Sequence, residues 1–297
     1  PKKLGIEVID RFPLETLVWY IDWTPFFQTW ELHGRYPNIL KDDVVGEQAT
    51  ELFNDAQSML DLIIKESWLS LKAVLGVFPA NSIGDDIEIY SDENRTKTLY
   101  VQRTLRQQTK KAKGQANLAL ADFISPKENG LMDYIGGFTV TSGLGIEKHI
   151  KKFDENHDDY NSILLKALAD RLAEALAEYV HEYIRKEYWG YASNELSSNE
   201  ELILEKYSGI RPAPGYPACP DHLEKIGLFG LLDVEKNIPV LLEKALLLNQ
   251  LGRFYFQSGK TRKSLEYFKD SFELSRKLDN RNGMAVNATN LARVVLT

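Results

Sequence analysis

Apolar residues in the first half of the chain follow helical spacing in one stretch and have strand-like composition in others. Over Gly46–Lys65 they recur every three or four residues, which predicts an amphipathic helix. Lys72–Phe78 and Ile87–Tyr90 are rich in β-branched and aromatic residues, which predicts two strands around a loop at 81–86. The chain continues outward over Tyr100–Gln107 toward a turn, and two more strands are predicted at Ala119–Ile124 and Tyr134–Thr141.

Helical spacing dominates the second half of the chain. The longest apolar stripe covers about Asp158–Tyr188 and starts with two aspartates, which complement the dipole at a helix N-terminus. We expect this helix to form the spine of the core. Shorter helices are predicted at Asn199–Lys206, with Ser198 as its cap, and at Glu224–Lys236. The whole pattern predicts an α+β fold, in which an antiparallel sheet is flanked by long helices and followed by a helical C-terminal tail.

Aromatic residues cluster near the N-terminus. The cluster consists of Trp19, Tyr20, Trp23, Phe26, Phe27 and Trp30. Aromatic side chains bury large areas, so most of these residues are predicted to lie in the core. Asp22 sits among them, and it must find a partner because a buried carboxylate without one is costly.

The segment Arg211–His222 has the sequence RPAPGYPACPDH, with four prolines. Proline fixes φ and pushes the preceding residue toward an extended conformation, so the segment is predicted to be stiff and extended. Gly215 is the residue there that tolerates strained backbone angles or a ligand against the backbone. Two interpretations are open at this point: a clasp for a small polar ligand, or a connector between two packed elements.

Composition excludes several classes of function. The 297 residues suit one large or two ordinary globular domains, and no apolar run approaches the length of a membrane span. The single cysteine and the lack of a secretory signal pattern favour the cytoplasm, and a net charge of −7 argues against nucleic-acid binding. The five histidines show no metal-ligand spacing, and Cys219 has no oriented base, so neither a metal site nor a catalytic residue is predicted.

From about Pro239 the pattern changes to that of a helical repeat. Its residues follow the spacing of a tetratricopeptide repeat, a helical hairpin of roughly 34 residues. The positions that match are Leu248, Leu251, Gly252, Tyr255, Gly259, Ser264, Leu265, Tyr267, Phe268 and Leu274. Because a single repeat cannot bury its own apolar face, this tail is expected either to pack on the preceding domain or to belong to something longer.

Several motifs occur in an order that one known family shares. Besides the proline-rich segment, they are Asp22–Phe27, Phe78–Asn81, Gly84–Tyr90, Leu105–Gln108, Ala121–Phe123, Asp133–Gly136, His157–Asn161 and Lys166–Ala175. They resemble the activation domain of cobalamin-dependent methionine synthase, which binds S-adenosylmethionine. The resemblance covers roughly residues 14–238. It implies an S-adenosylmethionine-binding activation domain over 1–238, followed by a divergent, helical repeat-like segment over 239–297.

The resemblance also implies a ligand site by motif position. It places there Asp22, Glu174, Arg211, Ala213, Gly215 and Tyr216. From the residues alone, Asp22 could instead be a structural cap and Glu174 an exposed helix carboxylate. In the family an aromatic pair near the C-terminus also touches the ligand, and Tyr267 with Phe268 are the candidates here. The tail lacks the His-Pro step of the family, so a divergent family ending and an unrelated repeat both remain open.

The function that the resemblance implies is the reactivation of methionine synthase. The domain would present the methyl group of S-adenosylmethionine to cob(II)alamin held by a neighbouring module of the same polypeptide, after reduction by a flavoprotein electron donor. The start at Pro1 rather than at a methionine suggests a segment of a longer polypeptide. Two alternatives remain: a protein-interaction module that works through the repeat-like tail, and a freestanding methyltransferase, which the lack of a Gly-rich nucleotide fold disfavours.

Overall fold

The chain divides into two units in this computed structural model, which describes residues 1–238, 241–277 and 281–295. The first unit contains Pro1–Leu75 and Phe138–Gly209, and the second contains Gly76–Gly137 and Ile210–Thr297. The C-terminal tail therefore groups with residues 76–137. The predicted domain boundary at residue 239 stays a prediction.

A five-stranded sheet confirms the predicted α+β class. Its strands are β1 (Gly5–Ile9), β2 (Ser70–Ile83), β3 (Asp86–Tyr90), β4 (Thr98–Arg103) and β5 (Asp133–Leu144). They lie in the order β1-β2-β3-β4, and β5 pairs with β2. Both long strands, β2 and β5, are divided between the units. The predicted strands at 72–78, 87–90 and 134–141 lie within β2, β3 and β5.

The β2-β3 hairpin of the second unit is tighter than predicted. Ile83 pairs with Asp86, so the turn is confined to residues 84–85 and the predicted loop at 81–86 is too long. Gly84 has a φ of +59°, a left-handed conformation that suits such a short turn. Strand β4 pairs antiparallel with β3, with Asp86 opposite Arg103.

The strand predicted at Ala119–Ile124 is wrong, because Leu120–Phe123 form a 3₁₀ helix. The Asp122 carboxylate accepts a hydrogen bond from the Ala119 backbone N–H at 2.9 Å and pairs with Arg106 at 2.6 Å. Aspartate bonds that turn the backbone locally compete with strand pairing. This local hydrogen bonding outweighs the strand propensity of the apolar residues.

The first unit is rich in helices. They are α1 (Leu14–Val18), α2 (Thr24–Thr29), α3 (Gly46–Lys65), α4 (Glu147–Glu155), α5 (Asp159–Tyr183) and α6 (Asn199–Ile203). Helix α3 has the predicted bounds. Helix α5 continues into a π-helical turn at Ile184–Tyr188, and α1 to α4 contact it, so it is the predicted spine. Asp158 caps α5 by accepting the Asn161 N–H at 3.1 Å.

The N-terminal aromatic cluster packs in the core of the first unit, as predicted. Phe26 and Phe27 are fully buried, and Trp23 packs edge-on against Phe53 with ring centroids 4.9 Å apart. Tyr20 and Trp30 are half-buried, and half of the Trp19 surface remains exposed. These rings fix the chain on both sides of Asp22.

The second unit contains the remaining helices within the described ranges. They are α7 (Glu224–Leu231), α8 (Val234–Asn237), α9 (Leu241–Gln257), α10 (Thr261–Lys277) and α11 (Arg281–Val295). The single helix predicted at 224–236 is two helices, because Asp233 has a φ of +48° and breaks the run. The helical tail is confirmed, with α10 packed against both α9 and α11. Within the ranges given above, no helix is long and apolar enough to cross a membrane.

Candidate functional site

The proline-rich segment of the second unit forms tight turns, so the extended conformation predicted for it is wrong. The Gly215 N–H donates to the Cys219 carbonyl at 2.8 Å, and the Cys219 N–H donates to the Tyr216 carbonyl at 3.0 Å. The Tyr216 N–H donates to the Ala213 carbonyl, also at 3.0 Å. A glycine between the prolines lets the chain reverse where proline geometry alone would extend it.

Gly215 occupies a position that only glycine fits. Its φ is +105°, and a Cβ added there would lie 2.3 Å from Cε1 of His222. The backbone at Gly215 is exposed, and so is Ala213. Tyr216 keeps 64 % of its surface exposed. The turn therefore leaves backbone and an aromatic ring exposed to solvent, with the half-buried Arg211 at its start.

Two buried residues anchor the end of this loop. Cys219 is 2 % exposed, and burial raises the pKa of its thiol to about 12, so the thiol stays protonated and is not a nucleophile. Glu224, at the start of α7, accepts hydrogen bonds from Gln102 Nε2 at 3.1 Å and from the Leu105 N–H at 3.4 Å. These bonds tie the loop to β4 and the residues just after it. Sequence reasoning missed Glu224 and Gln102, since nothing in the sequence indicates their pairing.

Replacing Glu224 with glutamine is expected to raise the free energy of unfolding at pH 7. Burial raises the pKa of Glu224, so the carboxyl favours folding in its protonated form. The stability that the protonated carboxyl provides is complete below the pKa that Glu224 has in the unfolded chain. It is lost as pH rises through the pKa that Glu224 has in the folded chain. Glutamine cannot ionise, its oxygen can accept the Leu105 N–H, and its NH2 group can donate to Gln102 once the Gln102 amide turns over. We therefore expect a gain on the order of 1 kcal/mol that vanishes near pH 4, measured by urea unfolding.

A matched carboxylate in the same unit provides the control. Glu88 accepts hydrogen bonds from Lys127 and Tyr90, and the Lys127 ammonium holds the pKa of Glu88 below its usual range. Glu88→Gln should therefore have the opposite sign at pH 7. A Glu224→Gln protein that loses stability at pH 7 would contradict our account of Glu224.

The predicted carboxylates lie in the first unit. Asp22 is half-buried just before α2, and its Oδ1 accepts the Thr24 N–H at 2.9 Å, so the partner expected for it exists. Glu174 lies on α5, the helix that α1 and α2 contact, and it is exposed. Asp22 therefore has a capping bond, as its structural interpretation supposed. The ligand roles of both residues stay predictions.

The aromatic pair proposed for the ligand site lies on α10. Phe268 is 2 % exposed, and a Cβ on Gly252 of α9 would lie 2.6 Å from its ring. Tyr267 stacks on Tyr255 with ring centroids 5.3 Å apart, and Ser264 donates to the Gly252 carbonyl at 2.8 Å. This geometry supports packing between α9 and α10. A ligand contact by Tyr267 or Phe268 stays a prediction, as does the interaction-module hypothesis for the tail.

A buried cation lies in the π-helical turn of the first unit, and sequence reasoning missed it. Arg185 has no exposed side-chain surface and bonds Glu195 through Nη2 at 2.7 Å and Nε at 3.1 Å. Its Nη1 lies 2.8 Å from Nδ1 of His181, and Tyr207 covers the guanidinium at 4.4 Å. The network fastens residues 195–207, which lead to the proline-rich segment, against α5. Among the described residues, no group of three His, Cys, Asp or Glu side chains could hold a metal ion.

A family model described as "Vitamin B12 dependent methionine synthase, activation domain" matches residues 13–251. The chain belongs to this family. A crystal structure of the MetH reactivation domain bound to AdoHcy is 58 % identical, with a TM-score of 0.75. The match covers 79 % of this chain and 72 % of that chain. The resemblance drawn from the motifs is thus confirmed, and the activation-domain match extends into α9, beyond residue 238.

Proposed function

We propose that this chain binds S-adenosylmethionine and supports the reductive methylation of cob(II)alamin that reactivates methionine synthase. The observation that carries this proposal is the turn at Gly215, which lies in the matched region of an activation domain whose 58 % identical relative was solved with AdoHcy. AdoHcy is the same molecule without the transferable methyl group. A loop that accepts one therefore has the shape to accept the other.

The chemistry of the ligand fits the proline-rich loop. The amino-acid end of S-adenosylmethionine carries a carboxylate, and the guanidinium of Arg211 can bind such a group through two parallel hydrogen bonds. The exposed ring of Tyr216 can stack on the ligand, and the exposed backbone at Ala213 and Gly215 can lie against it. We keep Asp22 and Glu174 as proposed partners for its ammonium and ribose groups.

Positioning is the main contribution that we assign to this chain. The methyl group is already activated by the positive sulfur, so the protein needs no general base, and its role is to hold the donor in place. The family belongs to a multidomain methionine synthase with a cobalamin module. We propose that this module holds the cobalamin that accepts the methyl group. We further propose a flavoprotein as the electron donor and the cytoplasm as the location.

Calorimetric titration of AdoHcy into the whole chain and into Arg211→Ala tests this proposal. Loss of a charge-assisted contact should weaken binding by about 2 kcal/mol, or roughly 30-fold. Arg211→Lys should recover only part of the loss, because an ammonium cannot make the paired contact. Arg103, which is exposed in the same unit, is the matched control, and Arg103→Ala should leave the affinity unchanged. A folded wild-type chain that binds no AdoHcy would refute the proposal.

A further inference from the structure

A small cavity lies in the helical tail of the second unit, among α9, α10 and α11. Its volume is about 140 Å³, and the residues that line it are Arg253, Phe256, Gln257, Phe268, Asn290 and Val294. The match to the activation-domain family ends at residue 251, so every one of these residues lies beyond it. The activation-domain match therefore assigns no role to this cavity, which we call the tail pocket.

The inner wall of the tail pocket is apolar. Phe268 of α10 and Val294 of α11 are buried, and Phe256 of α9 is half-buried. Each of the three helices thus contributes one apolar side chain to the wall. An apolar group that enters the pocket leaves water, which is favourable in proportion to the apolar area that is buried.

Hydrogen bonds between the helices hold this wall in place. The Ser264 hydroxyl of α10 donates to the Gly252 carbonyl of α9 at 2.8 Å. Asn249 Nδ2 of α9 donates to Asn287 Oδ1 of α11 at 2.6 Å. Helix α9 is therefore tied to both of its partners before a ligand arrives, so binding requires little ordering of the protein.

The mouth of the tail pocket is polar. Arg253 and Gln257, which are neighbours one turn apart on α9, are exposed, and Asn290 of α11 is half-buried. None of these three side chains has a hydrogen bond or an ion pair with another residue in the described part of the chain. Arg253 carries the only charge among the described residues that line the pocket. A ligand can therefore reach a free guanidinium and two free amide groups from solvent.

These polar groups, beside an apolar wall, suit a carboxylate that carries an aliphatic group. A guanidinium binds a carboxylate through paired, charge-assisted hydrogen bonds, and the side-chain amides of Gln257 and Asn290 supply further N–H donors. Sites for cofactors and other large ligands usually measure roughly 300–1,000 Å³. A volume of about 140 Å³ is too small for such a ligand and suits a single amino-acid residue.

The C-terminal residue of a protein chain has the right combination of groups. A leucine or valine at that position has its carboxylate and its apolar side chain on the same Cα atom. A free amino acid has the same two groups but adds an ammonium, which Arg253 would repel. An internal aspartate or glutamate has a carboxylate but no apolar group beside it.

We propose that the tail pocket binds the C-terminal residue of a partner protein, with its carboxylate on Arg253 and its aliphatic side chain against Phe268 and Val294. The side-chain amides of Gln257 and Asn290 donate hydrogen bonds to the same carboxylate. This inference goes beyond the proposed function and does not depend on it. It gives the tail a binding site of its own, and it assigns Phe268 to the wall of that site.

The test titrates N-acetylated alanyl-alanyl-leucine and alanyl-alanyl-valine into the whole chain, each with a free carboxylate or with a C-terminal amide. Binding is followed by NMR through the side-chain N–H signals of Gln257 and Asn290. The peptides with a free carboxylate should bind saturably, and amidation should weaken binding by about tenfold, the effect of losing a hydrogen bond between charged groups. Free leucine should bind more weakly than the leucine peptide, because it adds the ammonium.

Arg253→Ala should weaken binding of the free-carboxylate peptides by about tenfold and leave the amidated peptides unchanged, because both changes remove the same contact. Arg262→Ala is the matched control. Arg262 is an exposed arginine of α10 in the same tail, so its replacement should leave the binding of every peptide unchanged. A melting curve of each variant shows whether the fold survives.

The outcomes separate this inference from the proposed function. Equal binding of the free and amidated peptides would overturn it, as would the lack of saturable binding by both free-carboxylate peptides. An equal loss for free and amidated peptides in Arg253→Ala would also overturn it, since Arg253 would then not contact the carboxylate. Displacement of the peptide by AdoHcy would assign the pocket to the S-adenosylmethionine site instead. A chain that binds AdoHcy but no peptide retains the proposed function and loses only the tail pocket.

Discussion

Replacing Glu195 with alanine is expected to lower the free energy of unfolding by about 3–5 kcal/mol, because it leaves a buried charge without its partner. Arg185 has no exposed side-chain surface, and Glu195 provides both of its carboxylate contacts. His181 and Tyr207 also touch the guanidinium, but neither carries the opposite charge. Urea unfolding followed by circular dichroism measures the loss.

The pair of Arg185 and Glu195 also predicts that the free energy of unfolding depends on pH. The Arg185 guanidinium holds the pKa of Glu195 below its ordinary value. A carboxylate with a depressed folded pKa contributes stability that is complete above the unfolded value, about 4.3, and is lost as pH falls through the folded pKa. The difference between wild type and Glu195→Ala should therefore shrink on acidification below about pH 4.

Two control variants test whether the unpaired charge of Arg185 causes the loss of stability in Glu195→Ala. Glu155 pairs with Lys151 at 3.8 Å with both side chains exposed, so Glu155→Ala should cost less than about 1 kcal/mol. The double variant Arg185→Met and Glu195→Leu removes both charges, and it should recover much of the loss. A cost for Glu195→Ala as small as that of Glu155→Ala would show that Arg185 keeps a compensating partner.

Sequence patterns correctly predicted those elements in which tertiary contacts do not work against the local preference of the chain. The apolar stripe of α3 gave its bounds, and the two aspartates at 158–159 located the start of α5, where Asp158 is the cap. The strands β2, β3 and β5 were predicted because they are rich in β-branched and aromatic residues, which fill buried positions along β2 and β3. In these elements, local propensity and burial favour the same structure.

Where the sequence analysis predicted the wrong element, the cause is a single side-chain hydrogen bond or a single backbone conformation. The Asp122 bonds turn 120–123 into a 3₁₀ helix, and the left-handed Asp233 divides a predicted helix. The loop residues of the candidate site were proposed from the sequence because they form one contiguous motif, and their ligand roles stay predictions. Partners such as Gln102 and Glu224 lie more than a hundred positions apart, so only the folded chain brings them together.

Gly215→Ala should weaken AdoHcy binding by about 3 kcal/mol, on the order of 100-fold. At a φ of +105°, a residue with a Cβ is strained, and this one would also push against the His222 ring at 2.3 Å. Relief requires the turn to open, which moves the exposed backbone and Tyr216 that we assign to the ligand. Titration calorimetry measures the change, and a melting curve shows whether the fold survives.

Backbone strain and the contact with the His222 ring both contribute to the expected loss of AdoHcy affinity in Gly215→Ala. Two further variants separate these contributions. Gly114 has a φ of +90° in the same unit with open space where a Cβ would lie, so Gly114→Ala adds strain away from the loop. It should leave the affinity unchanged. Adding His222→Ala to Gly215→Ala removes the ring contact but keeps the strain, so it should recover only part of the binding. Equal affinities for wild type and Gly215→Ala would mean that the turn does not shape the ligand site, and recognition would then rest on side chains such as Arg211.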